Sequence, residues 1–128
     1  MATANSVGDR RSRCQRQLLG LRMLVMGQDG IRPRQAAEVQ EATNAVIAEA
    51  ETMSRALAKA GGREPGTETF LWVRVARLTM AADDAVNAAR DGDRAELDAH
   101  LRHFEALTSA MWAVQDAMRG HEPAGSRS

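Results

Sequence analysis

The chain has 128 residues, 44% of them apolar and 27% charged, with 17 basic and 17 acidic side chains and a formal net charge of zero. That length suits one domain able to fold without a metal, and its apolar fraction excludes a chain disordered throughout. A single cysteine, Cys14, excludes an intrachain disulfide and fits a reducing cytoplasm. The longest apolar run, Leu18–Met26, is broken by Gly20 and Arg22, and it falls far short of the ~20 residues that cross a bilayer. The first 17 residues hold no apolar segment of the kind a secretory leader carries. A cytoplasmic protein with no membrane partner is the expectation.

Charge is unevenly spread. Residues 1–34 hold Arg10, Arg11, Arg13, Arg16, Arg22, Arg32 and Arg34 against Asp9 and Asp29, a balance of +5, and the remainder carries −5. Such asymmetry marks either a polyanion-binding arm or a basic helix packed beside acidic ones. The second reading is favoured, because the first segment also has an apolar face that must be buried.

Taken in chain order, the pattern predicts four helices. Residues 1–8 read as a loose N-terminus. The first helix runs from near Asp9 to Met26: Cys14, Leu18, Leu21 and Val25 fall on one face, with Leu19, Met23 and Met26 in a second apolar row beside it. Gly27, Asp29 and Gly30 end it. The second begins at Pro33, whose missing N–H costs nothing in a first turn, and runs to Ala60 before Gly61-Gly62. Val39, Ala42, Val46, Ala50, Met53 and Leu57 give its stripe, and Arg34/Glu38 and Glu51/Arg55 are opposite-charge pairs at i,i+4.

The third helix follows Pro65-Gly66, capped by Thr67, and reaches about Asp91. Leu71, Val75, Leu78, Ala82, Ala85 and Ala89 form its stripe, widened at the start by Phe70, Trp72 and Val73. The fourth opens with Asp93 as cap and Glu96 three residues on, the spacing of a capping box. Leu97, Leu101, Phe104, Met111, Val114 and Met118 line one face, Leu107 fills the gap and Gly120 ends the helix. Residues 121–128 read as a loose polar tail. Short connections favour antiparallel neighbours. The expected fold is therefore all-α, an antiparallel up-down-up-down bundle of about four helices in one domain over residues 9–120.

Few residues point to chemistry. Glu96, His100 and His103 lie at i, i+4 and i+7 on helix 4, and two imidazoles with a carboxylate can hold a transition metal. No second helix supplies the carboxylates and Glu-x-x-His pair of a di-iron bundle, so neither metal nor other cofactor is expected. Either histidine alone suggests phosphotransfer on a bundle of this size, but Glu105 beside His103 would repel a phosphoryl group. Asp83 and Asp84 point about 100° apart on one helix. Cys14 sits on an apolar stripe, the usual place of a small core residue.

Arg10, Arg11, Arg13 and Arg16 are the candidate polyanion contacts. The zero net charge and the lack of an interleaved aromatic argue against nucleic acid. The feature with most weight is hydrophobic: from Leu18 to Gly27 apolar residues run nearly all round helix 1, more than one buried stripe requires. The sequence therefore points to a non-enzymatic bundle acting by self-association, as a homodimer, or by holding a helical protein partner. The expected interface is Leu18, Leu19, Gly20, Leu21, Met23, Val25 and Met26, with Phe70 and Trp72 as aromatic anchors.

Overall fold

The computed structural model describes residues 6–60 and 66–120. The expected tail over residues 121–128, the Gly61-Gly62 stop and Pro65 lie outside them. The described chain is four helices: α1 (Val7–Met26), α2 (Gln35–Ala60), α3 (Thr67–Arg90) and α4 (Arg94–Gly120). No strand occurs among the described residues. Each helix packs on its chain neighbour, α4 returns to α1, and α2 touches α4 across the bundle, while α1 and α3 make no contact. This is an antiparallel four-helix bundle in which α2 and α4 form the short diagonal and α1 and α3 sit on opposite outer sides.

The apolar stripes read from the sequence are the core. Leu71, Val75, Leu78, Ala82, Ala85 and Ala89 of α3 are all buried, as are Val39, Ala42, Val46, Ala50 and Leu57 of α2 and Leu97, Leu101, Phe104 and Met111 of α4. The alanines let α3 lie close to its neighbours, which bury Ala81, Ala88 and Val86 as well. Leu107, Met118 and Met53 are only half-buried against this core, and Val114 is half-buried too. Their places at the centre are taken partly by polar residues, Thr43, Ser54, Thr108 and Gln115, all buried.

Helix ends differ from expectation in instructive ways. α1 starts at Val7, not near Asp9, because Ser6 caps it: its Oγ accepts a hydrogen bond from the Asp9 amide at 3.1 Å. Residues 7 and 8 are therefore helical and not a loose lead-in. α2 starts at Gln35, with Pro33 in the preceding turn. The buried Gln35 amide oxygen accepts from the Arg32 N–H at 2.8 Å and from the Gln28 side chain, which holds that turn against the helix start. Thr67 is the first residue of α3, not its cap; Gly66 takes that place at φ 88°, without a side-chain bond.

The α3–α4 corner follows the sequence closely. Gly92 adopts φ 73°, and the Gly92 and Asp93 amides donate to the Ala89 and Ala88 carbonyls, the paired bonds of a Schellman ending. Asp93 then caps α4, accepting from the Glu96 amide at 3.1 Å. The Glu96 carboxylate does not complete a capping box; it lies 3.2 Å from His100 Nε2.

Candidate protein interface

α1 is the least buried of the four helices. Only Cys14, Leu18 and Val25 are enclosed, with Leu21 half-buried beside them. Charged contacts supply much of the rest of its attachment. Arg10 Nε donates to both Glu49 carboxylate oxygens of α2 at 2.9 Å. Arg11 meets Asp116 of α4 at 2.7 Å and donates to Gln115 Oε1 at 2.9 Å, its guanidinium 5.1 Å from the Trp112 ring centre. Farther along, Arg22 binds Glu105 at 3.1 Å and approaches Asp98 at 3.8 Å. The N-terminal excess of positive charge is thus met by acidic residues of α2 and α4, with Arg10 and Arg11 turned into the bundle. Arg16 remains exposed on the outer side of α1.

One layer of this attachment was not foreseen from the sequence. Gln115 is fully buried, and its Nε2 donates to the Ala50 carbonyl at 3.0 Å and to Ser54 Oγ at 3.2 Å while Oε1 accepts from Arg11. A single amide therefore joins α1, α2 and α4. The Cys14 thiol is held above its ordinary pKa, first by burial and then by the Glu49 carboxylate, with Arg13 opposing. A protonated, enclosed thiol is a core residue and a poor nucleophile.

The histidine group does not assemble into a site. His100 pairs with Glu96, His103 is exposed, and no three ligand-type side chains converge among the described residues. Asp84, Asp91, Asp93, Glu96 and His100 line a groove of about 200 Å³ at the α3–α4 corner, smaller than the ~300–1,000 Å³ of small-molecule sites. No described helix is long and apolar enough to cross a membrane.

The chain matches no family model, no curated protein and no solved structure.

The outer face of α1 carries four exposed large apolar side chains. Leu19, Met23 and Met26, spaced 4 and 3 residues apart and so in one row, are 43%, 65% and 43% exposed; Leu24, which the sequence reading did not single out, is 57% exposed. Gly20 lies between them, and a Cβ built there would meet no atom within 4 Å. The glycine does nothing for the protein's own packing, although a mid-helix Gly costs ~1 kcal/mol relative to Ala. Two of the expected interface residues are corrected by this geometry: Leu18 and Val25 are sealed in the protein's own core and have no surface to offer.

Phe70 and Trp72 are not brought to this face. Both stand on α3, which does not touch α1. Trp72 packs partly against the core with Arg55 5.7 Å from its ring, and the exposed Phe70 carries Arg74 over its face at 4.4 Å. Phe70, Val73 and Met80 form a separate exposed apolar strip on the far side of the molecule.

Proposed function

We propose that this bundle is a non-enzymatic protein that works by binding protein, through the outer face of α1. The observation that carries this reading is the row Leu19–Met23–Met26, with Leu24 at its flank and Gly20 open beside it. Contiguous exposed apolar surface of this kind marks interaction sites in soluble proteins.

The magnitudes fit association that depends on concentration. These four side chains are each about half exposed, so burying the remainder is worth roughly half of the 1.5–3 kcal/mol for a whole side chain. Eight such side chains across a self-paired contact give about 6–12 kcal/mol, against an estimated ~4–15 kcal/mol for the freedom lost on association. The balance is a weak complex, not a permanent one.

Light scattering across a concentration series tests it. The wild-type protein is expected to pass from monomer toward dimer as concentration rises, and Leu19→Asp and Met23→Asp to stay monomeric with unchanged helical circular dichroism. Neither residue is in the core, so both variants should fold. A wild-type protein that remains monomeric at every concentration would remove the support for this reading.

A further inference from the structure

We infer that the occupant of the α1 face is a second copy of this chain, paired antiparallel across a two-fold axis beside Met23; this rests on the reading of α1 as the binding face. The face is divided along its length. Toward the N-terminus it presents Arg16, and toward the C-terminus Leu19, Gly20, Met23, Leu24 and Met26, followed just past the helix by Asp29. Arg16 and Asp29 are both exposed, and neither has an ion-pair partner among the described residues.

The last turn of α1 holds no basic residue, and its negative end is met from α4 by Arg94, which donates to the Gln28 carbonyl. Antiparallel pairing gives Arg16 and Asp29 the partners they lack. With the axis beside Met23, Leu19 lies against Met26 of the partner subunit and Arg16 beside Asp29 of the partner subunit, at the end of the partner's helix. Parallel pairing would instead bring the two Arg16 side chains together and the two Asp29 side chains together. A two-fold contact is self-complementary by construction: whatever one copy offers, the other accepts. Gly20, with open space where a Cβ would stand, allows the two helices a close approach beside the axis.

Disulfide trapping reads the orientation directly. In a Cys14→Ala background, Leu19→Cys and Met26→Cys chains, one carrying a size tag, are mixed and oxidised by air with copper phenanthroline. The expected product is the mixed Leu19→Cys/Met26→Cys dimer in several-fold excess over either self-linked species, with Met23→Cys linking to itself. Charge exchange supplies a readout without engineered cysteines. Arg16→Glu or Asp29→Arg alone should weaken the dimer by roughly two- to fivefold, and the double exchange should restore it. If Leu19→Cys and Met26→Cys each link chiefly to themselves, the antiparallel arrangement is overturned while α1 remains the contact. If a dimeric protein links at none of these positions, the contact lies elsewhere and the inference fails. A monomeric wild-type protein by light scattering overturns both the inference and the reading it rests on.

Discussion

Among single residues, Gln115 shows how a polar side chain can sit at the centre of a bundle. Its amide has a partner for each end, the Ala50 carbonyl and Ser54 on one side and Arg11 on the other, so its burial leaves no group stranded. Removing it strands several. In Gln115→Ala, Ser54 and the Ala50 carbonyl lose a donor, Arg11 loses an acceptor and a cavity opens. Together these are expected to cost about 2–4 kcal/mol, read as a lower urea midpoint at unchanged slope; a loss under ~1 kcal/mol would mean that water replaces the amide freely. Nothing in the apolar spacing foretells this layer. Leu97, Leu101, Phe104 and Met111 were legible on α4 because they are apolar, whereas Thr108 and Gln115 continue the same stripe with polar groups: the Thr108 hydroxyl donates to the Phe104 carbonyl of its own helix, and the Gln115 amide is satisfied by α1 and α2. Trp112 escaped for the opposite reason: it lies one position off the stripe and is buried under Arg11, its Nε1 without a hydrogen-bond partner among the described residues.

The helices themselves were largely written in the sequence, their ends less so. Glycine and acidic punctuation placed the α3–α4 corner, because Gly92 at positive φ and Asp93 as a cap each have a local physical requirement. The starts of α1 and α2 depend on Ser6 and on the buried Gln35, side-chain caps that no apolar spacing marks. The i,i+4 pairs Arg34/Glu38 and Glu51/Arg55 do not form ion pairs among the described residues, and Arg55 lies over Trp72 instead. For α1, the sequence showed an excess of apolar residues without saying which row faces inward; packing on α2 and α4 chose Cys14, Leu18 and Val25 and left Leu19, Met23 and Met26 outside. Gly20→Ala separates the two roles of that helix. In the monomer, the added methyl meets nothing, and helix propensity should raise stability by up to ~1 kcal/mol, seen as a higher midpoint in dilute thermal melts. In the proposed dimer, the same methyl would stand at the helix–helix contact, so light scattering should show weaker association. Unchanged association would take Gly20 out of the contact.

At the scale of the whole molecule, the diagonal placement of α1 and α3 explains why one expectation about the site did not survive. Sequence spacing puts Phe70 and Trp72 on an apolar surface, but only the order of helices around the bundle decides that this surface faces away from Leu19 and Met23. The charge asymmetry of the chain also resolves here: Arg10, Arg11 and Arg22 bind Glu49, Asp116 and Glu105, so positive charge draws α1 onto the acidic sides of α2 and α4. That manner of attachment has a kinetic consequence. α2, α3 and α4 share the continuous apolar core, while α1 adds three enclosed side chains and a set of partly solvated ion pairs. Local opening free energies follow buried apolar contact, so α1 should lift off its neighbours as a unit far more often than the whole bundle unfolds. Cys14, the chain's single thiol, sits on the inner face of α1 and reports each such event. A maleimide supplied in excess should label it much faster than global unfolding permits, and added salt should quicken the labelling by weakening the ion pairs. Labelling no faster than global unfolding would show instead that α1 and the other three helices open only together.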